Sequence, residues 1–316
     1  MRVHDSLRYL GVPRGTFYRW KRQRAWEREE AVATSPVQAY EALLEEKQAV
    51  VQYALDHPEI RHRELSWRMI DEDVAYLSAS TVYRLLRAEE LMHRQRGRTK
   101  RYREEVEKAS RPDEIWATDV MYLKVGEVQY YLVTFIDEYS RYLVHWELLT
   151  SMDGHSISIA AQRAIETLPT SSDGQLAVTP TIRSDNGSGY ISGEFIGLLS
   201  HHGLNHHRIR PHCPEENGVQ ERFNRTLREG IEEHVLESRY DSMEVIGTLI
   251  SHYNEVRLHS SLGFQTPATW YRGNPAAVER ERRLKLSQAR HRRKQINLGI
   301  RQRTLPFSTP ESVSCS

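Results

Sequence analysis

Three consecutive stretches rich in β-branched and aromatic residues most strongly limit what this chain can fold into. They are EIWATDVMYLK, VQYYLVTFID and RYLVHWELL, at 114–124, 128–137 and 141–149. Turn signals at Gly126-Glu127 and Asp137-Glu138 separate them, so they predict three consecutive antiparallel strands. The preceding chain has helical periodicity, and the change at Pro112-Asp113 therefore marks the start of a separate domain.

Helices and short strands alternate after the third strand. The pattern predicts helices over 152–168, 193–202 and 216–236, and strands over 181–184 and 205–209. The order βββαβαβα is that of an RNase H-like fold, an α/β core with a mixed five-stranded sheet and helices on its faces. Small all-α helix-turn-helix modules precede this core.

Changes in composition set the predicted domain boundaries. The domains are a partial helix-turn-helix (1–30), a second helical DNA-binding module (31–92), a basic linker (93–112), the RNase H-like catalytic core (113–236), a helical extension (237–275) and a basic, partly disordered tail (276–316).

In the second helical module, Ser78 can cap a helix that presents Thr81, Arg84 and Arg87. This pattern fits a helix-turn-helix that contacts DNA. A small three-helix bundle used for dimer contacts is the alternative. The adjoining basic linker, which includes Arg98, Lys100 and Arg101, favours DNA.

Charge is unevenly distributed along the chain. The formal net charge is only +1, yet residues 91–103 hold six Lys or Arg and no acid. Residues 280–303 hold ten Lys or Arg against the single acid Glu281. Such local excess is typical of nucleic-acid binding, although a solvated helix face explains one such run equally well. We expect the second run to contact DNA backbone or a partner subunit.

Several classes of protein are excluded. No apolar run approaches the length of a membrane span, and the first residues do not resemble a signal peptide, so a cytoplasmic protein is expected. Only two cysteines occur, Cys213 and Cys315, and a disulfide framework is therefore not expected. The cluster His201, His202, His206, His207, His212 and Cys213 lacks the ligand spacing of a zinc site.

Three acids stand out within the predicted core. Asp119 alternates with apolar residues on one face of the first strand, where an unpaired charge is costly. Asp185 ends the fourth strand and opens a turn. Glu221 lies on the last helix opposite its apolar stripe, on the side of Arg225 and Arg228. By itself, Asp185 is explained as a turn residue and Glu221 as part of a solvated ion-paired row, while Asp119 needs a cation, a donor cluster or protonation to compensate its charge.

Together the acids resemble a known signature, because 35 residues lie between Asp185 and Glu221. With WATDVMYL, IRSDNGSGYISGEF, GVQERFNRTLRE and YNEVRLHSSLGFQTPATWY, the chain resembles the DDE transposase and retroviral-integrase superfamily. It is most similar to IS3-type insertion-sequence transposases, from Pro112 to Arg272. Gly189 departs from the pattern, which usually has Gln there.

The resemblance implies a metal-dependent DNA transposase that nicks element ends and transfers the 3′-OH to another strand. Asp119, Asp185 and Glu221 would hold two Mg²⁺ ions, for which Mn²⁺ can substitute. Arg225 and Arg228 would contact phosphates. The implied partner is double-stranded DNA bound by a homo-oligomer, and no membrane is involved. Asp137 also matches a family position, but its place before a turn favours a structural role.

Two other functions remain open from the sequence. One is a catalytically silent DNA-binding or assembly protein of the same fold. The other is a hydrolytic nuclease, which the helix-turn-helix modules and the basic tail disfavour. An intact Asp119 at a strand position of this kind argues against the silent protein, since binding alone gives no reason to bury it.

Overall fold

A computed structural model gives the fold of residues 37–92, 108–210 and 214–304. The predicted first helix-turn-helix, most of the basic linker with Arg98, Lys100 and Arg101, and the final residues 305–316 lie outside these ranges. Among the described residues, no helix is long and apolar enough to cross a membrane.

The central domain is a mixed five-stranded sheet. Its strands are β1 (Ile115–Val125), β2 (Val128–Asp137), β3 (Leu143–Leu149), β4 (Thr181–Ser184) and β5 (His206–Arg208). Their spatial order is β3-β2-β1-β4-β5, with antiparallel pairing among the first three strands and parallel pairing of β4 with β1 and of β5 with β4. This topology confirms the predicted RNase H-like core.

Nine helices of the described chain accompany the sheet. A small module contains α1 (Leu44–Asp56), α2 (His62–Asp71) and α3 (Ala79–Ala88). The core contributes α4 (Gly154–Ile165), α5 (Gly193–His201) and α6 (Gly218–Ile231). The C-terminal part forms α7 (Arg239–Glu255), α8 (Pro267–Arg272) and α9 (Pro275–Thr304).

A hydrophobic core lies on each face of the sheet, because side chains alternate along β1. Trp116 packs with α4 and α5 on one face, whereas Ala117 and Met121 pack under α6 and α7 on the other. Burying a side chain such as Phe223 of α6 stabilises the fold by about 1.5–3 kcal/mol. Both faces of the central strand are thus covered, and α6 is fixed against it.

The helical extension packs on the core, as the sequence predicts. Tyr253 of α7 meets Phe223 of α6 edge to face, with ring centroids 4.9 Å apart. Asn254 accepts from the backbone N–H of Leu143 at 2.9 Å and donates to its carbonyl at 3.0 Å. Because β3 is an edge strand, this contact satisfies a backbone group pair that would otherwise face solvent.

The C-terminal basic segment, which the sequence predicts to contact DNA backbone or a partner subunit, forms the 30-residue helix α9. The arginines of this helix pair with acids of the helical module. Composition alone misleads here, since the run of like charge is neutralised by residues distant in sequence. Smaller differences concern α6, which is preceded by a 3₁₀ turn at Pro214–Asn217 and ends at Ile231 rather than 236.

The module is a three-helix unit with its own hydrophobic core, formed by residues such as Val50, Leu65 and Val82. Ser78 caps α3 as predicted, because its hydroxyl accepts from the backbone N–H of Thr81 at 3.4 Å.

Gly189 is required where the chain turns into α5. A Cβ at this position would lie 2.8 Å from the carbonyl oxygen of Met152 and would overlap the side chain of Ile157. We expect Gly189→Ala to lower the free energy of unfolding by about 1–3 kcal/mol through overpacking. Urea unfolding measures this difference.

Gly197 of α5 provides the matched control, since a Cβ there meets nothing within 4 Å. Gly197→Ala should raise the stability by about 0.5–1 kcal/mol, as expected for a helix interior. Equal effects of the two substitutions would contradict the packing explanation.

Candidate active site

Asp119 lies in the middle of the central strand. It pairs across β1 and β2 with Thr134 and is half-buried. Its side chain is on the sheet face covered by α6, the face of Ala117 and Met121. The sequence alternation therefore placed this carboxylate correctly among apolar neighbours.

Asp185 reaches the same level of the sheet because β4 runs parallel to β1. Ala117 pairs with Arg183, and two residues further on each strand stand Asp119 and Asp185. Asp185 is exposed, and its Oδ1 accepts from the backbone N–H of Gly187 at 2.9 Å. The turn fixes this carboxylate at the end of the strand.

A buried ion pair anchors the strand that carries Asp185. Arg183 Nη1 donates to both carboxylate oxygens of Glu138 at 2.7 Å, and both side chains are buried. Removing one partner of such a pair typically costs about 3–5 kcal/mol, because the other charge is left uncompensated. The pair therefore ties β4 to the turn that follows β2.

Glu221 lies in the first turn of α6 and is exposed. The helix packs on the sheet through Phe223, Leu227 and Ile231, so the predicted apolar stripe is confirmed. One turn after Glu221, the Nδ2 of Asn224 donates to the Oδ2 of Asp119 at 2.7 Å. This hydrogen bond joins the helix of Glu221 directly to the strand of Asp119.

The surroundings of Asp119 disfavour its negative charge. Burial, with a further contribution from the neighbouring carboxylates of Asp185 and Glu221, raises the pKa of Asp119 to about 6. The backbone N–H of Val120 and the amide of Asn224 oppose this rise. Asp119 is therefore a carboxylate whose negative charge is disfavoured by its surroundings, and a nearby cation would relieve that cost.

The donor set fits a hard divalent cation. Carboxylate oxygens are the ligands that Mg²⁺ and Mn²⁺ prefer. Among the described residues, however, no group of three His, Cys, Asp or Glu side chains is arranged to hold an ion. The three acids thus do not form a closed coordination cage, although the carboxylates of Asp185 and Glu221 act electrostatically on that of Asp119.

Three polar residues around Asp119 escaped the sequence analysis. Gln220 of α6 is buried and donates through Nε2 to the hydroxyl of Thr134, which in turn contacts the carbonyl oxygen of Asp119 at 3.5 Å. Asn224 is the third. Its place three residues after Glu221, on the neighbouring helical face, is the signal that could have identified it.

The amides of Gln220 and Asn224 are incompletely satisfied. Within the described residues, Gln220 Oε1 and Asn224 Oδ1 are buried without a hydrogen-bond partner. Unpaired buried acceptors cost free energy and are few in native structures, so each calls for a physical reason. Both amides belong to the helix that carries Glu221.

Asp137 has a structural role. It is fully buried and accepts from the backbone N–H groups of Asp113 at 2.9 Å and Ser140 at 2.7 Å, as well as from the Ser140 hydroxyl. These bonds hold the turn between β2 and β3.

The predicted DNA contacts fall into separate groups. Arg225 and Arg228 are exposed on the helix of Glu221. Arg84 and Arg87 are exposed on α3 of the helical module, where Arg84 Nη2 donates to Thr81 at 3.3 Å. Of the predicted DNA contacts that the structure describes, Arg225 and Arg228 therefore lie on the helix that carries Glu221, whereas Arg84 and Arg87 lie on the helical module.

The clustered histidines serve separate contacts. His206 Nε2 pairs with Ser184 Oγ at 2.9 Å, and burial lowers the pKa of His206. His202 Nε2 pairs with Gln162 at 2.8 Å, while His207 lies 3.8 Å from Glu216. His212 and Cys213 fall outside the described residues.

Comparisons with known proteins show which families this chain is similar to. The integrase core domain family matches residues 109–214, and a second integrase core domain family matches residues 202–267. The chain is 28% identical over 171 residues to the transposase for insertion sequence element IS904 of Lactococcus lactis, covering 53% of this chain and 64% of that protein. It is 27% identical over 170 residues to transposase InsF for insertion sequence IS3A of Escherichia coli, covering 53% and 57%.

A third relative and one solved structure extend the comparison. An insertion element IS476 protein of 39.2 kDa from Xanthomonas euvesicatoria is 28% identical over 66% of this chain and 60% of its own length. The HTLV-2 integrase catalytic core, solved with magnesium, aligns at 19% identity with a TM-score of 0.42 over 52% of this chain and 99% of that one. The chain thus spans between 57% and 64% of the length of the three sequence relatives.

Two integrase core domain models together match residues 109–267, so the chain carries an integrase core domain, in agreement with the order of its five strands. It is similar to transposases of insertion sequences, among them that of IS3.

Because the negative charge of Asp119 is unfavourable in the folded protein, replacing this side chain with a neutral one should raise the free energy of unfolding. In metal-free buffer at about pH 7.5, Asp119→Asn should be more stable than the wild type, because the buried charge and its repulsion are removed. The folded pKa of about 6 lies above the unfolded value. The wild type therefore loses relative stability as pH rises through this window, and the advantage of the variant should vanish below about pH 4.

Urea unfolding at both pH values measures the effect. Glu127→Gln is the control, since that side chain is 96% exposed and should show no such dependence. An advantage of Asp119→Asn that persists unchanged in acid would contradict the electrostatic explanation.

Proposed function

We propose that this chain is a DNA transposase that nicks the ends of an insertion sequence and joins the freed 3′-OH to another DNA strand. The observation that supports this proposal is the burial of Asp119 near Asp185 and Glu221, whose carboxylates add to the effect of burial in raising its pKa. Keeping such a charge in the fold is costly, and a role in catalysis gives a reason for it.

Asp119, Asp185 and Glu221 would hold two Mg²⁺ ions, with Mn²⁺ as a substitute. Such ions supply charge stabilisation at the attacking and leaving oxygens of phosphodiester transfer. The contribution of the protein is to fix the ligands: β1 and β4 hold the two aspartates in register, and α6 holds Glu221. Asn224 orients the Asp119 carboxylate through its hydrogen bond.

Arg225 and Arg228 would position DNA at this edge. Both are exposed on the helix that carries Glu221, and guanidinium groups suit bidentate contacts to phosphate. Their role is to set the register of the backbone, since phosphate contacts carry no sequence information.

The helical module would bind the element end. Its helix α3 is capped by Ser78 and presents exposed Arg84 and Arg87, as a recognition helix would. The linker residues Arg98, Lys100 and Arg101 are proposed as further backbone contacts. Because an element has two ends, the active form is proposed to be a homo-oligomer on double-stranded DNA.

Labelled element-end DNA incubated with the protein and Mg²⁺ tests the proposed chemistry. We expect nicked and joined products with the wild type, and neither product with Asp119→Asn, Asp185→Asn or Glu221→Gln, because each substitution removes a carboxylate ligand. Binding to the same DNA should persist in all three variants.

Asn224→Ala provides a graded comparison in the same assay. Loss of a residue that orients a ligand typically lowers metal affinity or activity by about 10–100-fold rather than abolishing it. Retained joining by any carboxylate variant would overturn the catalytic assignment. Binding without nicking by the wild type would instead support the silent DNA-binding alternative.

Arg84 tests the role of the module in DNA binding. Arg84→Ala should weaken binding to element-end DNA and reduce the slope of log affinity against log salt by about 1, as expected for one lost phosphate contact. Fluorescence anisotropy over a series of salt concentrations measures both quantities.

Lys47→Ala is the matched control on the same module, because Lys47 is paired with Glu41 at 2.7 Å. An unchanged salt slope for Arg84→Ala would contradict a phosphate contact by this residue.

A further inference from the structure

The helical module carries an acidic face that meets the basic helix α9. We define this acidic face as Glu45 and Glu46 of α1, Asp71 at the end of α2, and Asp73 in the following turn. Each of these acids forms an ion pair with a cation of α9. The pairs are Arg292–Glu45 at 2.9 Å, Arg293–Glu46 at 2.7 Å, Arg282–Asp71 at 2.6 Å and Lys285–Asp73 at 2.6 Å.

Arg282 is the first anchor of this interface. It is only 4% exposed, and it donates from Nε and Nη2 to the two carboxylate oxygens of Asp71 at 2.8 and 2.6 Å. Its guanidinium also lies over the ring of Trp67, 5.0 Å from the centroid. A planar bidentate contact of this kind fixes orientation as well as distance.

The same guanidinium contacts the helical extension. It donates to the carbonyl oxygens of Gly263 at 3.1 Å and Phe264 at 2.7 Å. Both residues have left-handed backbone conformations, with φ of 63° and 57°, which is unfavourable for Phe264. Arg282 thus binds two successive carbonyls that the strained turn presents, and it joins α9, the module and the extension at one point.

A second anchor lies three turns further along α9. Arg293 is 7% exposed and also donates to the carbonyl of Tyr76 at 3.0 Å. Asn297 is 2% exposed and donates through Nδ2 to the carbonyl oxygens of Gln38, Ala39 and Glu41, at 3.1, 3.3 and 2.9 Å. The face of α9 that meets the module is therefore polar and buried.

A buried polar interface of this type favours one arrangement of α9 against the helical module. Burying a guanidinium is unfavourable unless its donors are paired, so the interface is stable in one register and poorly tolerant of others. A disordered basic arm that binds DNA has no need for an asparagine buried against three carbonyls. The cations Arg282, Lys285, Arg292 and Arg293 are engaged within the protein itself.

We propose that α9 is a strut that holds the helical module in a fixed position relative to the catalytic core, and that these four cations bind the module rather than DNA. The acidic face and α9 form a built interface between the module and the remainder of the chain. Its partner is this chain's own C-terminal helix, recognised by charge complementarity and by the carbonyls that Arg282 and Asn297 bind.

The strut has a consequence for the reaction, which rests on the proposed function. If α3 binds the element end, α9 sets where the scissile phosphate falls with respect to Asp119, Asp185 and Glu221. Loosening the strut should therefore reduce correct nicking more than it reduces binding to the end.

Distance measurements between two spin labels test the strut without DNA. Glu89→Cys on the module and Glu127→Cys on the core supply exposed labelling sites in the full chain, after Cys213→Ser and Cys315→Ser. We expect one narrow distance distribution for otherwise wild-type protein, and a broad distribution when Arg282→Ala and Arg293→Ala are combined.

Two further variants separate the strut from general effects. Arg283→Ala with Lys294→Ala removes the same charge from exposed positions of α9, where Arg283 pairs with Glu279 of its own helix, and should leave the distribution narrow. Glu46→Arg should broaden it, and Glu46→Arg with Arg293→Glu should restore part of the narrow component.

Three results would overturn the proposal. They are a narrow distribution that survives the Arg282 and Arg293 substitutions, a broad one in the wild type, or a distance that arises between chains, as mixtures of singly labelled proteins would reveal. The last result would mean that α9 binds the module of a second copy. None of these measurements depends on nicking, so a failure of the transposase proposal is detected separately.

Discussion

The negative charge of Asp119, held half-buried in the central strand, is the constraint on which the rest of the structure depends. Its burial and its two carboxylate neighbours make the ionised form unfavourable, and Asn224 donates a side-chain hydrogen bond to it. Such a group persists only when its surroundings are rigid. The sheet around it is correspondingly covered on both faces, with separate cores under α4–α5 and α6–α7.

Rigidity at this site comes from contacts between elements distant in sequence. The pair Arg183–Glu138 anchors the strand before Asp185, and Gln220 and Asn224 hold α6 to β2 and β1. Tyr253 then supports α6 from behind through Phe223. The helical extension thus packs against α6, the helix that bears Glu221. Helix α9 in turn joins the extension to the helical module through Arg282.

Much of the fold and of the candidate site could be predicted from local pattern. Alternation in β1 placed Asp119 on the correct face, β-branched composition located the strands, and helical periodicity assigned the buried and exposed sides of α6. What local pattern missed are the polar contacts between elements. Asn224 and Gln220 look like ordinary helix residues, and the basic run of α9 looks like a DNA-binding tail, because their partners Asp119, Thr134 and the acidic face lie far away in sequence.

The sequence by itself determined the order of elements and the RNase H-like topology, because hydrophobic periodicity and turn residues act over short ranges. The three acids were singled out by the resemblance to the DDE superfamily. Only the tertiary structure decided how those acids meet, since parallel pairing of β1 with β4 brings Asp185 level with Asp119. It also decided the contacts of α9, because the ion-pair partner of a charged side chain depends on which residues the fold brings next to it. Four of the cations for which the sequence predicts contacts to DNA backbone or a partner subunit face carboxylates of the same chain.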